Sequence, residues 1–216
     1  TRLILVQSDV AESLIELLQG AMAELHLGAA EDFATDVGPV IDAAAHANLL
    51  HQIDQLGTRA KFLAAVPCPA QFESTHIAPS LWDIGDLAAL KHVNEEIFVP
   101  VLQLARFSAA QWDELPDQIN ALGYGLTLGL QSRIDSRATE LEQRCRVGNI
   151  YINRSTIGAV VGVQPFGGCG LSGTGFKAGG PNYLLRFCTE RTLTINTAAA
   201  GGNADLISGA IAANLN

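Results

Sequence analysis

The sequence predicts an α/β fold with an open, mostly parallel sheet and flanking helices. Two observations predict it. Short apolar runs typical of buried strands alternate with segments whose apolar residues recur at helical spacing, and no internal repeat interrupts that order. Of the 216 residues, 48% are hydrophobic and 16% are charged, which suits a domain with a sizeable core and argues against disorder.

The alternation predicts individual elements in chain order. Strands are predicted at residues 3–6, 62–66, 100–106, 126–131, 149–153 and 192–196. Helices are predicted around residues 10–25, 45–56, 112–122 and 138–145, with a helical turn at 183–187. Asp9 and Glu12 match a capping box at the start of the first helix, and Gly123 predicts the end of the third. In such sheets we expect ligands to bind beyond the carboxyl ends of the strands.

The charge of the chain limits its partners and its location. The 13 Lys and Arg residues against 22 Asp and Glu residues give a net charge of −9, which argues against binding to the phosphate backbone of a nucleic acid. No apolar run is long enough to span a membrane, and no secretion signal opens the chain. We therefore expect a cytoplasmic protein.

The cysteines and histidines do not have the spacing of a metal site. Cys68, Cys145, Cys169 and Cys188 are widely separated and form no CxxC pair, and the five histidines form no HExxH pattern. We therefore expect no metal. The cysteines are expected to be reduced and to act as small buried side chains.

Glycine is concentrated in one segment. Ten of the 21 glycines lie between Gly148 and Gly180, interleaved with apolar residues, which is typical of a functional loop rather than a flexible linker. Residues 168–173 match GxGxxG, but residues 174–181 cannot form the helix whose N-terminus would hold a dinucleotide. We interpret that match as accidental.

Two adjacent carboxylates, Glu95 and Glu96, precede an aromatic residue, Phe98, and a proline, Pro100. A carboxylate at such a turn is suited to accept hydrogen bonds from the hydroxyl groups of a ribose. By itself, however, the pattern is more typical of a solvated acidic turn, so the sequence context has to decide between the two interpretations.

Three motifs together resemble the C-terminal half of the catalytic domain in the aldehyde dehydrogenase superfamily. They are EIFVPV at residues 96–101, GYGLT at 123–127, and PFGG followed by SG at 165–173. Asn153, Arg154 and the run GAVVGVQPFGG at 158–168 are similar to glutamate-γ-semialdehyde (Δ1-pyrroline-5-carboxylate) dehydrogenase. The segments that follow resemble the form of that enzyme found in bifunctional proline utilization A. The resemblance extends to Leu206.

The resemblance implies how the chain is organised. It implies an aldehyde dehydrogenase catalytic domain over residues 1–188, an oligomerisation and tunnel-covering strand over 189–206 that makes a homo-oligomer, and a tail at 207–216. Because Thr1 leads directly into a predicted strand without an initiator methionine, we also expect the chain to be part of a longer polypeptide. Its N-terminal remainder would carry an FAD-dependent proline dehydrogenase and could lie peripherally at the inner membrane.

The resemblance also implies the reaction, which is NAD-dependent oxidation of L-glutamate γ-semialdehyde to L-glutamate in proline catabolism. A cysteine thiolate attacks the aldehyde, the adduct passes hydride to NAD, and a glutamate base helps water to release the product. In the family's pattern the cysteine precedes Thr1 and the glutamate lies further upstream. The chain would therefore contain no catalytic residue, and alone it should be inactive.

Five residues match binding positions of the family. Glu96 matches the glutamate that binds the nicotinamide ribose, and Phe98 would pack beside that riboside. The backbone N–H groups of Gly158 and Ala159 match the loop that anchors the α-carboxylate of the substrate. Phe166 matches the aromatic residue that packs on the methylene groups of the substrate.

One departure from the family and one alternative function have to be weighed. Val99 replaces a glycine of the family, and it would be strained and would shift Glu96 if the backbone there needs a positive φ. The alternative is an inert aldehyde-dehydrogenase-like domain used for dimerisation or tunnel covering. Such a domain should have lost the ribose carboxylate and the anchor glycine, whereas Glu96, Gly158 and Phe166 are all present.

Overall fold

A computed structural model describes residues 1–93, 95–160 and 162–196 of the chain. The strands are β1 (Leu3–Gln7), β2 (Lys61–Ala65), β3 (Ser80–Asp86), β4 (Val101–Phe107), β5 (Tyr124–Gly125), β6 (Thr127–Leu130), β7 (Asn149–Ile152) and β8 (Cys169–Gly170). The α-helices are α1 (Ser8–Ala23), α2 (Ala43–Gly57), α3 (Leu115–Ala121) and α4 (Asp135–Arg144). Short 3₁₀ helices cover Ala70–Phe72, Leu87–His92, Ala109–Glu114 and Tyr183–Phe187. None of the described helices combines the length and the apolar character needed to cross a membrane.

Four strands form the main sheet, in the order β1-β4-β3-β2. β1 and β3 pair with β4 in parallel, and β2 pairs with β3 antiparallel. The predicted α/β class with a mostly parallel sheet is confirmed. β4 lies inside the sheet and its sequence, VLQLARF, is largely buried, because a parallel strand that is covered on both faces needs apolar residues at most positions.

The side chains of these strands pack into two apolar clusters, one on each face of the sheet. Val6, Leu81 and Leu104 pack with α1. Trp82 and Ala105 pack with residues of α2, α3 and the 3₁₀ helix that precedes β4. Neighbouring positions fall into different clusters because successive side chains of a strand point to opposite faces. The sheet is thereby covered by helices on both sides, and it forms a firm base for the loops at its edges.

The sequence prediction omits β3, because its sequence SLWDIGD is interrupted by acidic residues. The structure shows why Asp83 can occupy a strand. Arg106 of β4 donates hydrogen bonds to Asp83 Oδ2 from Nε (3.0 Å) and Nη2 (2.8 Å), and its Nη1 binds Glu12 of α1. The hydrogen bonds to Glu12 and Asp83 raise the pKa of the Arg106 guanidinium above its ordinary value. The charged pair thus replaces an apolar contact between β3 and β4.

The helix ends agree with the sequence prediction in part. α1 begins at Ser8, so Asp9 lies in the first turn, and Gln7 occupies the N-cap without a side-chain hydrogen bond. The predicted capping box is therefore wrong. Ser8 Oγ instead donates to the carbonyl oxygen of Phe107 (3.0 Å) and ties the helix to the end of β4. The predicted end of the third helix is confirmed, since Gly123 follows α3 with a φ of 77°.

The second half of the chain forms two small sheets. β6 and β7 pair in parallel, and β5 pairs antiparallel with β8 of the glycine-rich segment. The predicted helical turn is confirmed as the 3₁₀ helix Tyr183–Phe187. Residues 189–196 form no helix or strand, so the strand predicted at 192–196 is not formed in this structure. Residues 197–216 lie outside the described part of the chain. The oligomerisation role of residues 189–206 and the tail at 207–216 stay predictions.

Candidate functional site

The segment that carries Glu96 and Phe98 leads into the amino end of β4. Pro100 O accepts a hydrogen bond from Ser80 N (2.9 Å), which ties the segment to the start of β3. The side chains of Glu96 and Phe98 are both exposed, that of Phe98 by 82%. Because this segment enters β4, Glu96 and Phe98 lie at the amino end of the strand and not beyond a carboxyl end, where ligands are expected from the sequence.

Glu96 and Phe98 have the properties that a riboside needs. Glu96 makes no hydrogen bond or ion pair with another described residue, so its carboxylate is free to accept hydrogen bonds from ribose hydroxyls. The nearby exposed ring of Phe98 offers an apolar surface. The condition for strain at Val99 is not met, because its φ is not positive and its side chain packs against the core.

The loop that follows β7 at residues 153–160, here called the anchor loop, presents two unpartnered backbone amides. Gly158 is exposed with a φ of 70°, and a Cβ added there would meet no heavy atom within 4 Å. The N–H groups of Gly158 and Ala159 donate to no other described residue. Adjacent N–H groups at a left-handed turn form a concavity that binds anions, so the anchor loop can hold a carboxylate.

Phe166 is held in place by Asn149 at the start of β7. Asn149 donates from Nδ2 to Pro165 O (3.1 Å) and accepts at Oδ1 from Gly167 N (3.3 Å), so it binds both neighbours of Phe166. The backbone of Phe166 also exchanges two hydrogen bonds with Ala178, at 3.0 and 2.9 Å. Four hydrogen bonds therefore fix the backbone from which the half-buried aromatic ring projects.

The glycine-rich segment packs closely against β5 and β7. A Cβ on Gly148 would overlap the carbonyl oxygen of Gly167, so the backbones can approach this closely only without a side chain at position 148. The GxGxxG match at residues 168–173 forms β8 and a turn, and no helix begins at Gly173. This agrees with the interpretation that the match is accidental.

The first two residues of the chain contact both β4 and the anchor loop. Arg2 O accepts a hydrogen bond from Gln103 N (2.9 Å) near the amino end of β4, and the Arg2 guanidinium lies 4.2 Å from the centre of the Tyr124 ring. Thr1 Oγ1 lies 3.4 Å from Thr156 Oγ1 in the anchor loop. The start of the chain therefore contacts β4 through Arg2 and the anchor loop through Thr1. No hydrogen bond among the described residues links the segment of Glu96 directly to the anchor loop.

The four cysteines do not provide an activated nucleophile at this place. Cys145 is buried, and burial raises the pKa of its thiol, which keeps the thiol protonated at neutral pH. Burial also raises the pKa of Cys68. Cys169 and Cys188 are exposed and Cys68 is only half-buried, so the expectation of four buried cysteines holds for Cys145 alone. In the part of the chain that the structure describes, no three His, Cys, Asp or Glu side chains group so that they could hold a metal ion.

A groove of about 720 Å³ lies between β7 and the glycine-rich segment. Its lining includes Tyr151, Arg154 and Lys177, and it includes none of the five predicted site residues. Lys177 crosses it at one end, where Nζ donates to the carbonyl oxygen of Gly148. The predicted binding residues therefore do not share this groove.

Sequence analysis missed the residues that hold the site in place. Asn149 and Asn153 flank the apolar residues of β7, and polar residues at both ends of such a run are a signal for side-chain contacts to the backbone. Thr156 carried no such signal, because its contact with Thr1 joins residues 155 positions apart.

Comparison with curated proteins identifies relatives of this chain. The sequence model of the aldehyde dehydrogenase family matches residues 1–193. The bifunctional protein PutA of Escherichia coli (strain K12) is 44% identical over 196 residues, which are 88% of this chain and 15% of that protein. The 1-pyrroline-5-carboxylate dehydrogenase of Bacillus subtilis (strain 168) is 33% identical over 188 residues, which are 87% of this chain and 36% of that protein. The chain thus spans a minor part of these relatives.

Solved structures share the same arrangement of elements. A proline utilization A mutant from Bradyrhizobium japonicum matches with a TM-score of 0.82 and 49% identity, over 93% of this chain and 20% of that chain. A 1-pyrroline-5-carboxylate dehydrogenase from Thermus, solved with bound NAD, matches with a TM-score of 0.78 and 32% identity, over 87% of this chain and 35% of that chain. These levels of identity and superposition support a common descent.

Proposed function

The chain belongs to the aldehyde dehydrogenase family, and from this premise we propose that it forms the C-terminal part of the catalytic domain of an NAD-dependent dehydrogenase. The proposed reaction is the oxidation of L-glutamate γ-semialdehyde to L-glutamate in proline catabolism. The observation that carries this proposal is the pair of unpartnered backbone amides at Gly158 and Ala159, which lie in a loop that reaches the start of β1.

The class of substrate follows from the chemistry of the anchor loop. A carboxylate has two acceptor oxygens, and two adjacent N–H groups can bind them through charge-assisted hydrogen bonds. Gly158 leaves the approach to those groups open. Phe166, whose backbone Asn149 holds in place, supplies an apolar surface for methylene groups. Together these residues support a short aliphatic aldehyde that carries an α-carboxylate.

Glu96 and Phe98 are the residues of this chain that would hold the nicotinamide riboside of NAD. Bound NAD would accept the hydride that leaves the substrate carbon. The contribution of the chain is orientation, since the free Glu96 carboxylate accepts hydrogen bonds from ribose hydroxyls while Phe98 covers the riboside from water. The relative from Thermus was solved with bound NAD, which supports the same cofactor here.

The remaining parts of the enzyme are proposed to lie elsewhere in the same polypeptide. The nucleophilic cysteine and the glutamate base would precede Thr1, and an FAD-dependent proline dehydrogenase would lie further upstream, which the identity to a bifunctional protein supports. Within the chain, residues 1–188 would form the catalytic part, residues 189–206 an oligomerisation strand and residues 207–216 a tail. A cytoplasmic homo-oligomer stays the prediction.

The second candidate function, an inert domain for dimerisation or tunnel covering, is less well supported. An inert copy has no use for a free carboxylate before β4 or for unpartnered amides in the anchor loop. Glu96, Gly158 and Phe166 keep the chemistry that binding needs, so the enzyme is the better conclusion.

Reduction of NAD by the full-length polypeptide tests the proposed function. With L-glutamate γ-semialdehyde we expect kcat/KM to exceed that for pentanal, which lacks the carboxylate, by about tenfold or more, the contribution of one charge-assisted hydrogen bond. Residues 1–216 alone should give no activity. Equal kcat/KM for the two aldehydes would contradict the carboxylate anchor, and activity of the isolated segment would contradict an upstream nucleophile.

A further inference from the structure

Asn153 turns the chain at the end of β7 in a conformation that few residues adopt. Its φ is 53°, the only positive φ among the non-glycine residues that the structure describes. The left-handed region is unfavourable for L-residues, and asparagine enters it more readily than most. A residue held there needs compensating contacts from its surroundings.

The side chain of Asn153 supplies those contacts by clamping one residue of the neighbouring segment. Its Oδ1 accepts a hydrogen bond from Ser132 N (2.9 Å), and its Nδ2 donates to Ser132 O (2.8 Å). Its backbone N–H donates to Leu130 O (2.8 Å) at the end of β6. The amide side chain accepts through its oxygen and donates through its nitrogen, so one side chain binds both backbone groups of Ser132. Asn153 therefore extends the pairing of β6 and β7 beyond the ends of both strands.

The clamp determines the direction in which the anchor loop leaves the sheet. Three residues further on, Thr156 lies so close to β6 that a Cβ on Gly129 would come within 2.5 Å of its Cγ2. Thr156 Oγ1 then reaches Thr1 Oγ1 (3.4 Å). Gly158 and Ala159 follow without a described hydrogen bond from their own N–H groups.

On the other side of the two amides, Val160 N donates to Gln164 Oε1 (3.5 Å) and the carbonyl oxygen of Val160 accepts from Gln164 N (2.9 Å). The amides therefore lie between these contacts and those of Asn153 and Thr156, and the latter set the direction in which the loop enters this stretch.

We infer that Asn153 is a positioning residue, which sets the affinity of the enzyme for aldehydes with an α-carboxylate by aiming the amides of Gly158 and Ala159 towards the start of β1. The inference rests on the proposed function. Asn153 touches neither the substrate nor the cofactor, and it acts through the backbone of the anchor loop.

Three substitutions of Asn153 in the full-length polypeptide test the inference. Asn153→Gly keeps the positive φ and removes the clamp, Asn153→Ala removes the clamp and adds backbone strain, and Asn153→Asp keeps the acceptor and removes the donor. We expect the glycine and alanine variants to raise KM for L-glutamate γ-semialdehyde about tenfold with kcat within about twofold, and the aspartate variant to raise it less. KM for pentanal and for NAD should not change.

Asn120→Ala is the matched control. Asn120 also makes two hydrogen bonds from its side chain to the backbone, with Nδ2 donating to Arg144 O (2.9 Å) and Oδ1 accepting from Arg146 N (2.7 Å). Its loss should lower the melting temperature to a similar extent as Asn153→Gly, which also removes two side-chain hydrogen bonds without adding strain at a positive φ, and it should leave KM for the semialdehyde and for pentanal unchanged. Hydrogen exchange at the backbone amides of residues 132 and 153, which the clamp and the pairing beside it protect, should become faster in the Asn153 variants and stay unchanged in Asn120→Ala.

Unchanged KM for the semialdehyde in Asn153→Gly, or an equal rise in KM for both aldehydes, would overturn the inference. Unchanged hydrogen exchange at the amides of residues 132 and 153 would overturn it as well, and that measurement needs no activity. A wild-type polypeptide that binds NAD and does not oxidise the semialdehyde would instead contradict the proposed function, whereas the exchange data would still report on the clamp.

Discussion

Replacing Gly158 by alanine should disturb substrate binding more than folding. Gly158 has a φ of 70°, and the new Cβ would meet no heavy atom within 4 Å, so the methyl group clashes with nothing in the described chain. The left-handed backbone costs alanine roughly 1–2 kcal/mol, and the reduced freedom of the unfolded chain offsets about 0.4–1 kcal/mol of that cost. We therefore expect the free energy of unfolding to fall by only about 1 kcal/mol.

The effect of this substitution on KM should be larger. The methyl group would occupy the open space through which the α-carboxylate reaches the amides. Loss of one hydrogen bond to a charged group, about 1.5–3 kcal/mol, corresponds to a rise in KM of about ten- to a hundredfold. Steady-state reduction of NAD measures KM, and thermal unfolding measures the stability.

Gly85→Ala is the matched control for Gly158→Ala. Gly85 has a φ of 95° and equally open space around its Cβ position, and it lies in β3. Both variants should lose similar stability, and only Gly158→Ala should raise KM for the semialdehyde. A wild-type KM in Gly158→Ala, or the same rise in both variants, would refute the reasoning.

Three further substitutions test other contacts. Glu96→Ala should raise KM for NAD about tenfold, because the ribose loses its hydrogen-bond acceptor. It should shift the melting temperature by less than about 2 °C, because the exposed carboxylate has no partner among the described residues. Unaltered NAD kinetics would count against the ribose role. Ala159→Asp should raise KM for the semialdehyde through repulsion of its α-carboxylate, and much less for pentanal, so equal changes would discredit the anchor. Gly148→Ala should lower the free energy of unfolding by more than about 3 kcal/mol, because the new Cβ would overlap Gly167 O. A melting temperature equal to that of the wild type would show that the backbones at residues 148 and 167 are not in close contact.

The sequence predicts those parts of the fold whose signal is local. β1 and β4 are mostly apolar, and they appear where the pattern places them within one residue. β3 could not be predicted in this way, because Asp83 breaks its apolar run and finds its partner, Arg106, on another strand. A charge in a strand becomes acceptable only through a contact that the linear sequence does not display.

The candidate site could be predicted from motifs only as a set of separate residues. The position of Glu96 at the amino end of β4 follows from sequence order alone, since residue 96 precedes the strand, and the general rule for ligand sites pointed to the opposite edge. The clamp of Asn153 on Ser132 was beyond prediction, because it requires the pairing of β6 with β7 to be known first. Tertiary pairing therefore decides how the anchor loop is aimed.

The most direct test of the account is a crystal structure of the full-length polypeptide with NAD and L-glutamate bound. We expect the α-carboxylate oxygens to lie within about 3.2 Å of the backbone nitrogens of Gly158 and Ala159, and the Glu96 carboxylate to accept hydrogen bonds from the nicotinamide ribose. A product carboxylate bound by side chains away from the anchor loop, or a ribose out of reach of Glu96, would contradict the account.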